Sequence, residues 1–157
     1  MRVTWNRDRG FSGQALVEFA LIIPIFIFLV MGIFDLGRAV YGFNTINNAA
    51  RQAARHAIVD QTPAHVLTEA TQSGVNLGTQ PADVTIDYRS ASTPTVAGSC
   101  ASLAINCLAT VKVQYSWQAA TPVIGALLGT IVMTGESQFP IESVCVEPTQ
   151  PSCPKGT

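Results

Sequence analysis

One carboxylate, Glu18, stands inside GQALVEFALIIPIFIFLVMGIFDLGR, the stretch from Gly13 to Arg38 that is otherwise apolar as far as Asp35. A charge at the centre of a bilayer costs about 2.5–3.5 kcal/mol on insertion scales, and less near an edge. Two arrangements reduce that cost. The side chain can snorkel toward the nearer face, or it can pair with a cation inside the membrane. At the other end of the run, Asp35 and Arg38 are three residues apart and can pair on one helix face. They fall where a spanning helix would leave the bilayer, so headgroup solvation and a subunit contact both fit them.

Other reactive residue types are few. Cys100, Cys107, Cys145 and Cys153 all follow the apolar run. Four cysteines allow three pairings, and proximity favours Cys100–Cys107 and Cys145–Cys153. A zinc site would need closer ligand spacing: there is no C-x-x-C, and His56 and His65 are far away in sequence. Disulfides suit the compartment beyond a membrane. No GxSxG, P-loop or HExxH is present, so no catalytic residue, metal or cofactor is expected. Asp83 and Asp87 share one face of an expected strand, where a wet face commonly carries charge. The net charge is −1, and no basic stripe exists to neutralise phosphates, so no nucleic-acid partner is expected.

The elements that must position these residues follow from patterning. The 157-residue chain is 48% hydrophobic and only 12% charged, and the charge deficit lies in the opening run. Ala15 to Phe34, about 20 residues, matches a hydrocarbon core of about 30 Å. Arg2, Arg7 and Arg9 precede it against Asp8, so the positive-inside rule puts the N-terminus in the cytoplasm and the rest outside. Arg38, Arg51 and Arg55 on the far side weigh against that bias. A cleaved secretory signal fits less well, because the run is long and no A-x-A site follows it.

Helical spacing continues through DLGRAVYGFNTINNAARQAARHAIVD, with Ala49, Ala53 and Ala57 four apart. One helix is predicted from Gln14 to Val59, about 70 Å long, half in the bilayer and half projecting beyond it. Pro24 should kink it. Gly32, Gly37 and Gly42 offer smooth surfaces for another helix. Tyr41 and Phe43 suit an interfacial aromatic belt. Arg51 and Arg55 form a solvated stripe.

A short helix is predicted from Pro63 to Ser73, with Thr62 as N-cap and Gly74 as stop. Strands are predicted over Asp83–Arg89, Leu108–Gln118 and Ile131–Phe139 from alternating apolar and polar residues. Ser90–Asn106 is a predicted loop, TPVIGALLG an apolar connector, and EPTQPSCPKGT a loose tail. The fold class is therefore α+β: a long N-terminal transmembrane-plus-stalk helix, then a small antiparallel β-sheet head with a short helix. The segments are 14–60 for the membrane and stalk helix, 61–147 for the head, and 148–157 for the Pro-rich tail.

The stretch SGQALVEFALIIPIFIFLVMGIFDLGR resembles the N-terminus of type IV prepilins, and specifically the TadE-like proteins of the tight-adherence (Flp) pilus system. GIFDLGRAVYGFNTINNAARQAARHA resembles the TadE-like continuation, so the likeness covers Gly13 to Ala57. It implies that residues 1–13 are a cytoplasmic basic leader, although Asp8 makes this one less purely basic. It implies cleavage between Gly13 and Gln14 by a prepilin peptidase, with Glu18–Phe19 as the glutamate–aromatic pair. The α-amine freed on Gln14 would be largely cationic at neutral pH and could pair with Glu18 of a neighbouring subunit. Implied partners are the peptidase, pilin and other pilin-like subunits, the Tad secretion platform and the lipid bilayer. The implied location is the bacterial cytoplasmic membrane, single-pass, with the head outside. The expected role is a pilus assembly protein or minor pilin-like subunit. The alternatives are an unprocessed anchored binding or sensory domain, and a secreted protein released by signal peptidase.

Overall fold

A computed structural model of the chain describes residues 13–100, 102–105 and 107–146. Residues 1–12 of the expected leader, including Arg2, Arg7, Asp8 and Arg9, lie outside the described residues, as do Cys153 and the expected tail 148–157. The first element, α1, is a single helix, Gly13–His56, of 44 residues. It is about 66 Å long at about 1.5 Å per residue. The helix runs unbroken through Pro24. Its alanine, leucine and arginine content favours helix along the whole length. Two winding-down turns follow it, and Thr62 adopts an extended conformation before Pro63, as the residue before proline prefers. The second helix, α2, covers Pro63–Ser73 and ends at Gly74.

Three strands follow: β1 Val84–Ser90, β2 Cys107–Gln118 and β3 Thr130–Pro140. They form one antiparallel sheet in the order β1-β2-β3. Ile86 lies opposite Val111, Val113 opposite Gly135, and Trp117 opposite Ile131. The apolar connector TPVIGALLG differs from expectation: Pro122–Leu128 is a helix, α3. Thr121 and Pro122 start it and Gly129 ends it, the same punctuation that delimits α2. Two turns are too few for an apolar period to be visible.

The half of α1 expected to project is the centre of the head. Ile46, Ala49, Ala50, Ala53, Ala54 and Ala57 are fully buried, packed with Val66 and Ala70 of α2 and with Val84, Ala109, Val111 and Val113 of the sheet. Small side chains let the sheet come close. A Cβ on Gly135 would lie 2.8 Å from the Ile46 carbonyl carbon and oxygen and 2.9 Å from the Asn47 nitrogen. One on Gly42 would lie 3.1 Å from Cε1 of Tyr115.

The face of β2 bearing Ala109, Val111, Val113 and Trp117 is buried as its alternation predicts, but Thr110 on the other face is buried too. The cause is the 91–99 loop, which lies back over that face. Pro94 O accepts from Arg89 Nη1 at 3.1 Å and from Gln138 Nε2 at 3.4 Å. Gly98 N donates to Asp87 at 2.8 Å. Asp87 also takes the Arg89 guanidinium at 2.8 Å, so it belongs to a covered ion pair and not to a wet face. Burial would raise the Asp87 pKa, but the hydrogen bond from Arg89 and the Gly98 amide outweigh it and hold it low. A disulfide joins Cys100 to Cys107 and closes the end of this loop. Cys145 is not free.

Gln61 ties the end of α1 to the chain after β3. Its amide donates to Ala57 O at 2.7 Å and Ser143 O at 2.9 Å and accepts from Cys145 N at 2.6 Å. Its backbone carbonyl takes the Tyr88 hydroxyl at 3.2 Å. Burial pushes that phenol up to about 12, with the nearby Asp60 charge adding to it. Asp60 holds the start of α2: it accepts from Thr62 N at 2.9 Å and meets His65 Nδ1 at 2.7 Å. Burial alone would raise its pKa, but the bonds from His65 and Thr62 outweigh that and hold it below the ordinary 3.8.

Two outcomes follow. Gly135→Ala forces the sheet off α1 and costs about 1–3 kcal/mol, as overpacked sites do; the check is a lower Tm of the detergent-solubilised full chain. A depressed carboxylate pKa stabilises the fold above the unfolded value and loses that contribution as pH falls through the folded value. The wild-type Tm should therefore drop on acidification below the ordinary carboxylate range, and Asp60→Asn should start lower and fall less steeply over the same titration.

Candidate functional site

The lower half of α1 presents side chains to its surroundings and not to the head. Leu16, Phe19, Leu21, Ile22, Ile25, Phe26 and Leu29 are all exposed. Among the described residues, α1 is the one helix long and apolar enough to cross a membrane, and its most apolar window has no buried residue. In water such a surface would be an extreme liability; in lipid it is the expected one.

Glu18 sits on this exposed surface. Its Oε1 accepts from Nε2 of Gln14 at 3.1 Å, one turn earlier. Residues 14 and 18 therefore share a helix face at the very start of α1, with Gly13 its first residue. Phe19 points outward beside them. The helix geometry thus brings together Gly13, Gln14, Glu18 and Phe19 at one end of the rod.

The other acid is placed differently. Asp35 is buried where α1 meets the head. Oδ1 accepts from Ala120 N at 2.8 Å and Oδ2 from Thr121 N at 3.0 Å. Arg38, half exposed, lies 3.6 Å from Oδ1. The expected Asp35–Arg38 pair is present, but it is the minor part of the arrangement. Mainly the carboxylate clamps the start of α3, more than 80 residues later in the chain, onto α1. Charge-assisted bonds to backbone N–H are the strong kind. They satisfy the N–H of Thr121, the N-cap of α3, and that of Ala120 just before it.

Around this clamp, α1 has two faces. Gly32, Asp35, Leu36 and Ala39 line an apolar cleft of about 270 Å³ shared with Trp117 and Ile124. On the opposite side Ile33, Phe34, Gly37, Arg38 and Tyr41 line an open groove of about 340 Å³. The expected smooth glycine surfaces are thus divided. Gly42 lies against Tyr115 and Gly32 faces Ile124, while a Cβ on Gly37 would meet nothing within 4 Å.

The clamp's partners just before α3 were not legible from local spacing, since backbone amides carry no side-chain signal. A signal for Asp35 itself exists. Gly32, Asp35, Ala39, Gly42, Ile46, Ala49 and Ala53 follow one another at alternating intervals of three and four, the seam of a helix packed along its length. Asp35 is the single charge on it. Arg55, expected to be solvated, is exposed and has its guanidinium 6.0 Å from the Phe139 ring centre. Among the described residues no group of three His, Cys, Asp or Glu side chains is placed to hold a metal.

Asp35→Ala leaves the Ala120 and Thr121 amides without their acceptor, at roughly 1–3 kcal/mol for the buried Thr121 donor and less for Ala120, which water can reach. Hydrogen exchange at Ala120 and Thr121 should accelerate strongly, while amides in the β1–β2 ladder, such as Val111, keep their protection.

Comparison with known proteins finds no match among curated proteins or solved structures. One family model does match, over the part of the chain that holds both acids. Residues 13–55 match the family described as TadE-like protein.

Proposed function

We propose that this chain is a membrane-anchored, pilin-like subunit that assists assembly of a tight-adherence pilus. In this reading a prepilin peptidase cuts between Gly13 and Gln14, the helix then spans the bacterial cytoplasmic membrane once, and the head lies outside. Working partners are pilin and pilin-like helices in the membrane plane and the Tad secretion platform. The folded head, built on the same helix, argues for an accessory role over that of a bare fibre subunit.

The observation that carries the reading is the geometry at the start of α1. Gln14 and Glu18 meet at 3.1 Å on an otherwise apolar, exposed surface long enough to cross a membrane. Cleavage before Gln14 would place an ammonium group one turn from a carboxylate. In a bundle, that amine could serve the Glu18 of a neighbour. Its net stabilisation is limited by desolvation, so its use is to select register. The TadE-like match over this segment supports the same reading.

The test is the N-terminal sequence of the protein from native membranes, with and without the prepilin peptidase. A start at Gln14 that disappears without the peptidase is the expected result. Met1 in both samples would reject processing and leave an anchored binding or sensory domain. Glu18→Gln keeps the side-chain shape and removes the charge. It should lower co-purification of pilin-like subunits about tenfold, equivalent to about 1.4 kcal/mol.

A further inference from the structure

The end of the head nearest the bilayer is uncharged and apolar. Between Lys112 and Glu136 the sequence contains no Asp, Glu, Lys or Arg. That interval holds the end of β2, all of α3 and the start of β3. Leu127 is 84% exposed, Val132 59%, Leu128 52% and Ile131 38%. Ile131 and Val132 are consecutive strand residues and so point to opposite faces. Val132 is open on the outer face of the strand, while Ile131 turns to the cleft against α1 and is only partly exposed.

The charges of the sheet are at its other end. Lys112 pairs with Glu136 at 3.3 Å, and Arg89 reaches Glu136 at 3.2 Å. From the Trp117–Ile131 register to the Lys112–Glu136 register is five residues, about 17 Å along a strand. The head is therefore polarised along the axis of α1.

Its apolar end has a fixed height. A Cβ on Gly32 would lie 3.8 Å from Cδ1 of Ile124, and Asp35 holds the residues just before α3. Gly32 lies two residues, about 3 Å, short of Phe34, where the apolar run ends. The exposed apolar tip is thus level with the edge of the membrane-spanning segment. On α1 itself Leu36, Val40, Tyr41 and Phe43 are exposed just above that level.

We propose that α3 and the start of β3 form a second membrane contact, with Leu127, Leu128 and Val132 inserted into the headgroup–acyl boundary of the leaflet on the head side. This rests on α1 spanning a bilayer. The occupant of the apolar tip is lipid because the tip is continuous with the lipid-facing surface of α1 and carries no charge to specify a protein partner. Interfacial elements of this kind bury an apolar face roughly 5–10 Å into the boundary. Anchored at both α1 and α3, the head is held against the membrane with its charged end turned away.

The test uses the full chain in vesicles of phosphatidylethanolamine and phosphatidylglycerol. The photoreactive residue p-benzoylphenylalanine replaces Phe26, Leu127 or Val96 in separate samples, and lipid adducts are read by mass. Phe26 reports the spanning helix, and Val96 reports an exposed apolar side chain on the loop at the charged end. The expected result is lipid adducts at Phe26 and Leu127, with Leu127 about tenfold above Val96. Adducts at Phe26 with none at Leu127 overturn the proposal and leave the spanning helix intact. A Leu127 adduct to a second copy of the chain overturns it in favour of a protein contact. No lipid adduct at Phe26 removes the spanning helix and the proposal with it.

Discussion

Contact between the sheet and the seam of small residues along α1 is the constraint on which the remaining geometry depends. Where β3 crosses the helix, the missing side chain of Gly135 brings strand backbone against the Ile46 and Asn47 backbone. Further along, five alanines fill the space that larger residues would hold open. Dense packing of this kind tolerates little added volume. Because the packed helix continues without a break into the apolar segment, the head has no linker about which to swing. Its orientation to a membrane is the orientation of α1.

The seam also explains why one helix can serve two solvents. Over residues 19–31 its whole circumference is apolar and open. From Gly32 onward one stripe is covered by the head and the rest faces outward. Asp35 stands at that changeover. A buried charge is costly unless it is hydrogen-bonded and paired. Asp35 has two backbone N–H donors and a guanidinium nearby. The same bonds orient α3, so the charge that makes the changeover tolerable also sets where the apolar tip of the head lies.

How far this was legible in the sequence depends on the range of the interaction. The long helix, α2 and all three strands follow from local periodicity and punctuation, because each is set by residues within a few positions of one another. The alanine spacing gave a helix face, but not that the face is buried in a head instead of projecting. That depends on a sheet formed 30 to 90 residues later. Asp87, expected on a wet face, and Thr110 beside it are covered because a loop returns over that face, and no two-residue period encodes such a return. Gln61 and Asp35 act through backbone groups of distant segments, which carry no type-specific signal. At the start of α1, by contrast, Gly13, Gln14, Glu18 and Phe19 are within two turns, and their placement could be read directly.

The two acids of α1 therefore differ in what they lack. Asp35 is satisfied inside its own chain. Glu18 has a neutral amide from Gln14, which is weaker than an ionic donor by roughly half. In the proposed function, cleavage before Gln14 changes that balance without moving any other residue. It converts a peptide nitrogen that bears no charge into an ammonium group one helical turn from the carboxylate. A chain still carrying its leader can offer a neighbour the acid but not the amine, so only processed chains are complementary in both directions. Glu18 costs free energy in an isolated spanning helix. In that reading the cost is offset only in a bundle of processed subunits, and the same acid that makes the lone helix a poor lipid segment makes assembly selective.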